Sequence, residues 1–561
     1  MPSRAFVSGV AAVALMALPS PVFAAGPIVF RDKTAATGID FRHTTGGSGR
    51  KYMAETVASG LATFDYDGDG RLDLYLLSGV PLEGAPSDPR AGSRLYRNVG
   101  DWQFADTTVA AGLDQRGYAL GVAVGDYDAD GWPDVYTNDF GPNTLHRNNG
   151  DGTFTDVTAA AGVARGEALG AGANFLDIDG DGVLDLFVAN YVDFRYDTHR
   201  TSLVAGRPDY ARPREFAPRA NRLFRGTGQG RFDDVSAAAG IAAHAGAGMG
   251  SVCFDADGDG RTDIFLCNDQ RFDFLFHNEG DGSFRESALA AGVACNVLGA
   301  PTASMGVDAG DYDNDGRIDL VVTPYFNELP VLHHALGGGQ FEDVAARAGL
   351  GVRAVAAVKW GVALVDLDND GHRDIVITCG RIYEPAAGER SAWPPVLFRN
   401  LGNGRFANVS DQAGDLSACS GVARGLACDD LDGDGRVDLV ILNRDGPATV
   451  LRNESPAANH WVGVRLRGKR AAADGTGARI TVVAGDLVQV AEVHSGRGYQ
   501  SHFGAWPHFG LGTHDRIDRI EVRWAGGTTD VVGDVPVDRL VTIVEGTGPT
   551  DTAGSTERGQ P

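Results

Sequence analysis

At 561 residues the chain exceeds what one undivided core supports, so it is either built of repeats or split into domains. A formal charge of −25 argues against nucleic-acid backbones and anionic membrane surfaces as partners, since both are polyanions, and makes cations the natural counterpart. Hydrophobic residues at 43% supply a core that 78 glycines interrupt at short intervals, which predicts short strands and no long helices.

Residues 1–24 read as an export signal. Arg4 gives a positive start, residues 5–18 are mostly apolar, and Val22-Phe23-Ala24 offers small residues for cleavage. No later segment approaches the ~20 apolar residues needed to cross a bilayer, so the mature chain is expected to be secreted or periplasmic without a membrane span. After export Cys253, Cys267, Cys295, Cys379, Cys419 and Cys428 can pair as disulfides or remain buried thiols, and none shows C-x-x-C spacing.

From residue 65 onward the phrase Asp-x-Asp-x-Asp-Gly-x-x-Asp occurs seven times with every carboxylate present. The copies are Asp65, Asp67, Asp69, Asp73; Asp126, Asp128, Asp130, Asp134; Asp177, Asp179, Asp181, Asp185; and Asp255, Asp257, Asp259, Asp263. Then come Asp311, Asp313, Asp315, Asp319; Asp366, Asp368, Asp370, Asp374; and Asp430, Asp432, Asp434, Asp438. Copies start 51 to 78 residues apart, a blade-sized period with room for inserted loops. Between them runs a second phrase, as in Leu145-His146-Arg147-Asn148-Asn149-Gly150-Asp151-Gly152-Thr153-Phe154, which reads as strand, glycine turn, strand. The ends of the chain share one copy of it: Val29-Phe30-Arg31-Asp32 is its second half and Leu451-Arg452-Asn453 its first. A closed ring follows, with the N-terminal strand completing the last blade and leaving no open sheet edge.

Carboxylates at positions 1, 3, 5 and 9 of a tight turn aim hard oxygens at one centre, a ligand set that suits Ca²⁺ better than Mg²⁺. No histidine or cysteine sits at any of the ligand positions, which weighs against zinc. Two carboxylates about 4 Å apart repel by roughly 4 kcal/mol at an effective dielectric of 20, so four converging ones require a cation. Up to seven Ca²⁺ are expected. Position 12 of each copy is Leu76, Thr137, Val188, Leu266, Val322, Ile377 or Ile441, never acidic, and the residues following the loop alternate or run apolar. The loops are therefore placed in β-hairpins and not in EF-hands.

These phrases resemble the FG-GAP or VCBS repeats of integrin α propellers, and more closely those of the cartilage acidic protein family. After residue 455 a different strand pattern begins, whose phrases Gly475-Thr476-Gly477-Ala478-Arg479, Ser495-Gly496-Arg497-Gly498-Tyr499-Gln500-Ser501 and His508-Phe509-Gly510-Leu511-Gly512 resemble the ASPIC/UnbV domain. The expected organisation is a signal at 1–24, a seven-bladed β-propeller at 27–455, a small all-β domain at 459–546 and a disordered tail at 547–561. His494, Arg497, His502 and His508 form a minor candidate site in the small domain.

The functional expectation is an exported calcium-binding propeller that presents loops to a protein or glycan. The insertions 78–94, 191–220 and 380–395 all follow the strand leaving a metal loop, which puts them on the face away from the metals. Their Tyr196, Arg200, Tyr210, Arg212, Arg214, Tyr383, Arg390 and Trp393 are candidate ligand contacts, because binding surfaces favour aromatics and arginine. The alternatives are an enzyme acting on a glycan or secondary metabolite at the propeller axis, and a purely structural matrix protein. G-x-S-x-G, H-E-x-x-H and phosphate-binding glycine loops are all missing from the sequence.

Overall fold

The computed structural model describes residues 26–114, 116–164, 168–204, 206–351, 357–383 and 392–550. The expected signal peptide and most of the expected tail lie outside these, as does Arg390. Within them and before residue 455, five antiparallel four-stranded sheets and one eight-stranded sheet succeed one another, and the eight-stranded one divides into two four-stranded units, counted below as sheets 2 and 3. Sheet 1 shows the plan, with strands Leu61–Phe64, Asp73–Leu76, Arg94–Gly100 and Gln103–Asp106 paired in that order. Its first two strands are wholly buried, whereas the outermost turns only Phe104 inward, so hydrophobicity falls from the middle of the ring to its rim.

The first strands of the later sheets are Ala119–Gly125, Ala168–Leu176, Gly248–Phe254, Ser304–Gly310, Lys359–Val365 and Ala423–Asp429. Each lies beside the first strand of the next sheet, and Ala423–Asp429 lies beside Leu61–Phe64, so the circle closes. This is a β-propeller, and its closure is the one read from the split phrase. Phe30–Asp32 is the outer strand of the last sheet, in register Phe30↔Asn453, Arg31↔Arg452 and Asp32↔Leu451. Sheets 2 and 3 are further joined by Leu169↔Phe140 and Ala168↔Gly141.

Asparagines of the second phrase fasten neighbouring sheets. Asn148 of sheet 2 donates from Nδ2 to Tyr66 O of sheet 1 at 2.8 Å, and Asn278 of sheet 4 donates to Ile178 O of sheet 3 at 2.8 Å. Asn400 and Asn453 do the same one sheet back, and Asn98 of sheet 1 reaches Leu431 O of sheet 7 across the closure. All five asparagines are buried, so the carbonyls they satisfy have no water to turn to.

Beyond residue 455 two further four-stranded sheets share one core that includes Val464, Ile480, Ile520 and Trp524. Strand Gly548–Thr550 pairs with Arg539–Val544, so ordered sheet extends past residue 546, where a disordered tail was expected. Polar composition misled there because the strand is held by backbone hydrogen bonds. All six cysteines are free, four of them buried, and no disulfide joins them. No helix among the described residues is long and apolar enough to cross a membrane.

Candidate metal centres

All seven aspartate loops are wired alike. Oδ2 of the first aspartate accepts the N–H of the loop glycine five residues on, at 2.7–3.0 Å. That glycine holds φ between 82° and 95°, where a side chain would be strained. The third aspartate accepts the N–H two residues later, and the fourth opens the second strand. The two oxygens of the fourth accept separate backbone N–H groups at 2.7–3.2 Å, one from the loop and one from the third strand. The loop is thus shaped by its own carboxylates before any cation is considered.

In the first three loops the first, second and fourth aspartates bring carboxylate oxygens within 4.8 Å of one another. Burial above all, with neighbouring carboxylates adding to it, pushes Asp73, Asp185 and Asp263 up to about 8 and Asp126, Asp311, Asp368 and Asp430 up to about 7. Oδ1 of Asp65, Asp128, Asp313 and Asp368 is shielded from solvent and has no hydrogen-bond partner. Orphaned hard oxygens gathered in a fixed turn fit a Ca²⁺ ion, which would satisfy them and offset their charge.

Sequence reasoning missed two contributors to these centres. The first is an arginine or histidine of the third strand, which precedes the sheet-linking asparagine in five sheets and Gly226 or Ala335 in the other two, and whose side chain hangs over the aspartates of its own sheet. Arg97 Nε stands 2.5 Å from Asp67 Oδ2, and Arg452 NH2 stands 3.0 Å from Asp432 Oδ2. In sheets 4 and 5 the residue is His277 or His334, so nitrogen does reach the aspartate clusters, contrary to the reading that weighed against it. Its recurrence at the third place of a Leu/Val-x-Arg/His phrase was the available signal.

The second contributor is the C-terminal domain, which covers the aspartate loops. Arg465 meets Asp65 at 3.4 Å, Asp474 accepts the Asp126 N–H at 3.1 Å, and Arg523 meets Asp255 at 2.6 Å. Arg479 donates to Gly316 O, His508 Nε2 lies 2.7 Å from Asn369 Oδ1, and a Cβ at Gly182 or Gly435 would strike Arg470 O or the Trp461 indole. Every one of the seven loops is touched. From the same domain, residues 495–502 enter the ring: Gly498 exchanges backbone hydrogen bonds with Val307, His502 N donates to Leu61 O at 2.9 Å, and Asn174 Nδ2 donates to Gly496 O at 2.7 Å. Tyr499 reaches furthest, donating to Val57 O at 2.7 Å with its ring 5.1 Å from that of Trp360. Gly496 and Gly498 hold φ of 92° and 67°, which is why the phrase spaces its glycines so.

Model matching assigns residues 65–137, 126–188 and 255–322 to the FG-GAP-like repeat and residues 468–550 to ASPIC and UnbV. The chain carries FG-GAP-like repeats and a C-terminal ASPIC and UnbV domain. It is similar to cartilage acidic protein 1 of Mus musculus, 28% identical over 83% of this chain and 70% of that one, and to its Homo sapiens counterpart, 28% identical over 83% and 69%. Among solved structures it is similar to YCF48 bound to D1 peptide, 10% identical with TM-score 0.42 over 78% of this chain and 100% of that chain. It is also similar to an Agrocybe aegerita lectin that recognises non-reducing terminal N-acetylglucosamine, 18% identical with TM-score 0.36 over 68% and 88%.

In this FG-GAP-like repeat protein the candidate ligand contacts are placed unequally. Arg200, Arg212 and Arg214 are exposed, and Arg214 donates to Gln270 O. Tyr196 is 37% exposed and accepts the Glu83 N–H, tying the insertion at 191–220 to that at 78–94. Tyr210 is buried, its hydroxyl 2.9 Å from Glu55 Oε2, so it braces the loops from beneath. Tyr383 is half-buried, and Trp393 packs against the core between sheets 5 and 6. The small-domain residues serve docking: burial lowers His494 and His502 to about 3 and His508 to about 4, and Arg497 pairs with the buried Asp308 at 2.6 Å.

Proposed function

We propose that the protein is an exported calcium-binding propeller that offers its insertion loops to a protein or glycan ligand. The observation that supports this reading is the covering of all seven aspartate loops by the C-terminal domain, which favours a scaffolding role for those loops and recognition on the opposite face. Arg200, Arg212, Arg214 and Tyr196 are exposed on the insertion 191–220, which Tyr196 ties to the insertion 78–94 through the Glu83 N–H. An enzyme working at the axis, on a glycan or a secondary metabolite, would need the space that residues 495–502 fill. Up to seven Ca²⁺ would carry +14 against the formal net charge of −25.

Two measurements test the halves of the proposal separately. Metal-stripped protein should melt higher when Ca²⁺ is restored, and identical melting points would sink the calcium assignment. Binding to immobilised panels of oligosaccharides and peptides should weaken in R200A, R212A and R214A while the calcium-dependent melt is unchanged. Equal binding by wild type and all three variants would move recognition to another face.

A further inference from the structure

The seven loops are not chemically equal. In five sheets the side chain over the aspartates is Arg97, Arg147, Arg225, Arg399 or Arg452. A guanidinium has no lone pair to offer a metal and acts there only as a counter-charge. Sheets 4 and 5, which are adjacent, carry His277 and His334 in that place, and a neutral imidazole does have a lone pair.

The placement is that of a ligand. His277 Nδ1 stands 3.2 Å from Asp263 Oδ1 and 3.8 Å from Asp257 Oδ2. His334 Nδ1 stands 3.2 Å from Asp319 Oδ1 and 3.5 Å from Asp313 Oδ2. Nitrogen and oxygen ligands each ~2.0–2.2 Å from one ion lie ~3–4 Å apart, the range seen in both sheets. In sheet 5, Oδ1 of Asp313 is shielded from solvent and makes no hydrogen bond. In each sheet the three ligand atoms lie within 4.8 Å of one another. A histidine held merely as an ion-pair partner would not have to present the same nitrogen at the same spacing in two sheets whose other residues differ.

We propose that the loops of sheets 4 and 5 each take a divalent first-row transition-metal ion of the zinc class, bound through one imidazole nitrogen and carboxylate oxygens. The other five are oxygen-only sites for Ca²⁺. Imidazole suits zinc-like ions and hard oxygen suits calcium, so one protein would sort two metals along its ring. The inference rests on the reading that the aspartate loops are metal sites at all.

Full-length metal-stripped protein, equilibrated with Co²⁺ as a spectroscopic stand-in for zinc in the presence of excess Ca²⁺, tests it. About two equivalents of Co²⁺ should be retained, with visible absorption of nitrogen–oxygen ligation and none of the intense thiolate charge-transfer bands that cysteine binding gives. H277R and H334R, which install the residue the other sheets already carry, should each lose about one equivalent and the double variant both, while the Ca²⁺-dependent rise in melting point persists. H277Q and H334Q serve the same purpose should an arginine variant fold poorly. Wild type that retains no Co²⁺ against Ca²⁺, or a double variant that retains as much as wild type, would overturn the proposal and leave the calcium reading intact. Protein whose melting point responds to neither ion would overturn both.

Discussion

The fourth aspartate of each loop does two jobs with one carboxylate. Accepting two backbone N–H groups fixes the hairpin, and doing so while buried beside other carboxylates makes its charge costly. The sign of the resulting pH effect is definite. Asp73, Asp185 and Asp263 are raised to about 8 in the fold, so between their unfolded range near 4 and that value the folded state binds more protons than the unfolded one. Metal-stripped protein should therefore lose stability as pH rises from about 5 to about 8, and saturating Ca²⁺ should flatten the slope. Thermal melts across that range, with and without the ion, check it; a metal-free protein that grows more stable towards pH 8 would contradict the burial. These carboxylates were legible because spacing alone made them converge. His277 and His334 were not, because a residue on the third strand reaches the loop only through sheet pairing, which no local window contains.

Strands and hairpins were nearly all legible, since alternation, glycine turns and the repeat agreed at every copy. What joins one sheet to the next was harder to see. Asn148, Asn278, Asn400 and Asn453 look like ordinary turn residues in sequence, yet each is buried and holds a carbonyl of the preceding sheet. Replacing Asn278 by leucine should strand the Ile178 and Thr262 carbonyls and cost about 1–3 kcal/mol. Urea unfolding measures it, and a loss below about 0.5 kcal/mol would show that water takes over the bond. The insertions illustrate the opposite error of emphasis. Composition singled out Tyr210 together with Arg212, but packing separates them, burying the tyrosine against Glu55 and leaving the arginine to solvent.

At the scale of the molecule the sequence revealed two parts and a ring but not how the parts meet, because a docking surface made of glycine phrases and single arginines has no periodicity. The Arg497–Asp308 pair lies at the heart of that docking, with side chains 11% and 0% exposed. R497A should cost about 3–5 kcal/mol by leaving Asp308 buried without its partner, whereas R497A with D308N should recover much of it. Equal melting points for the single variant and wild type would show that residues 495–502 only rest against the ring. Deleting residues 29–41 should bare the edge of the last sheet and promote aggregation, read by light scattering. The same closure sets a timetable. Phe30 leaves the ribosome long before Asn453, and at about 5–20 residues per second the interval is roughly 20 to 85 s. For that time the opening strand has no partner, and the phrase that fills the axis is made later still. The ring is therefore assembled by its two ends, after most of it exists, and a nascent chain stopped at residue 440 should be cut by protease at the sheets flanking the gap, where the finished protein resists.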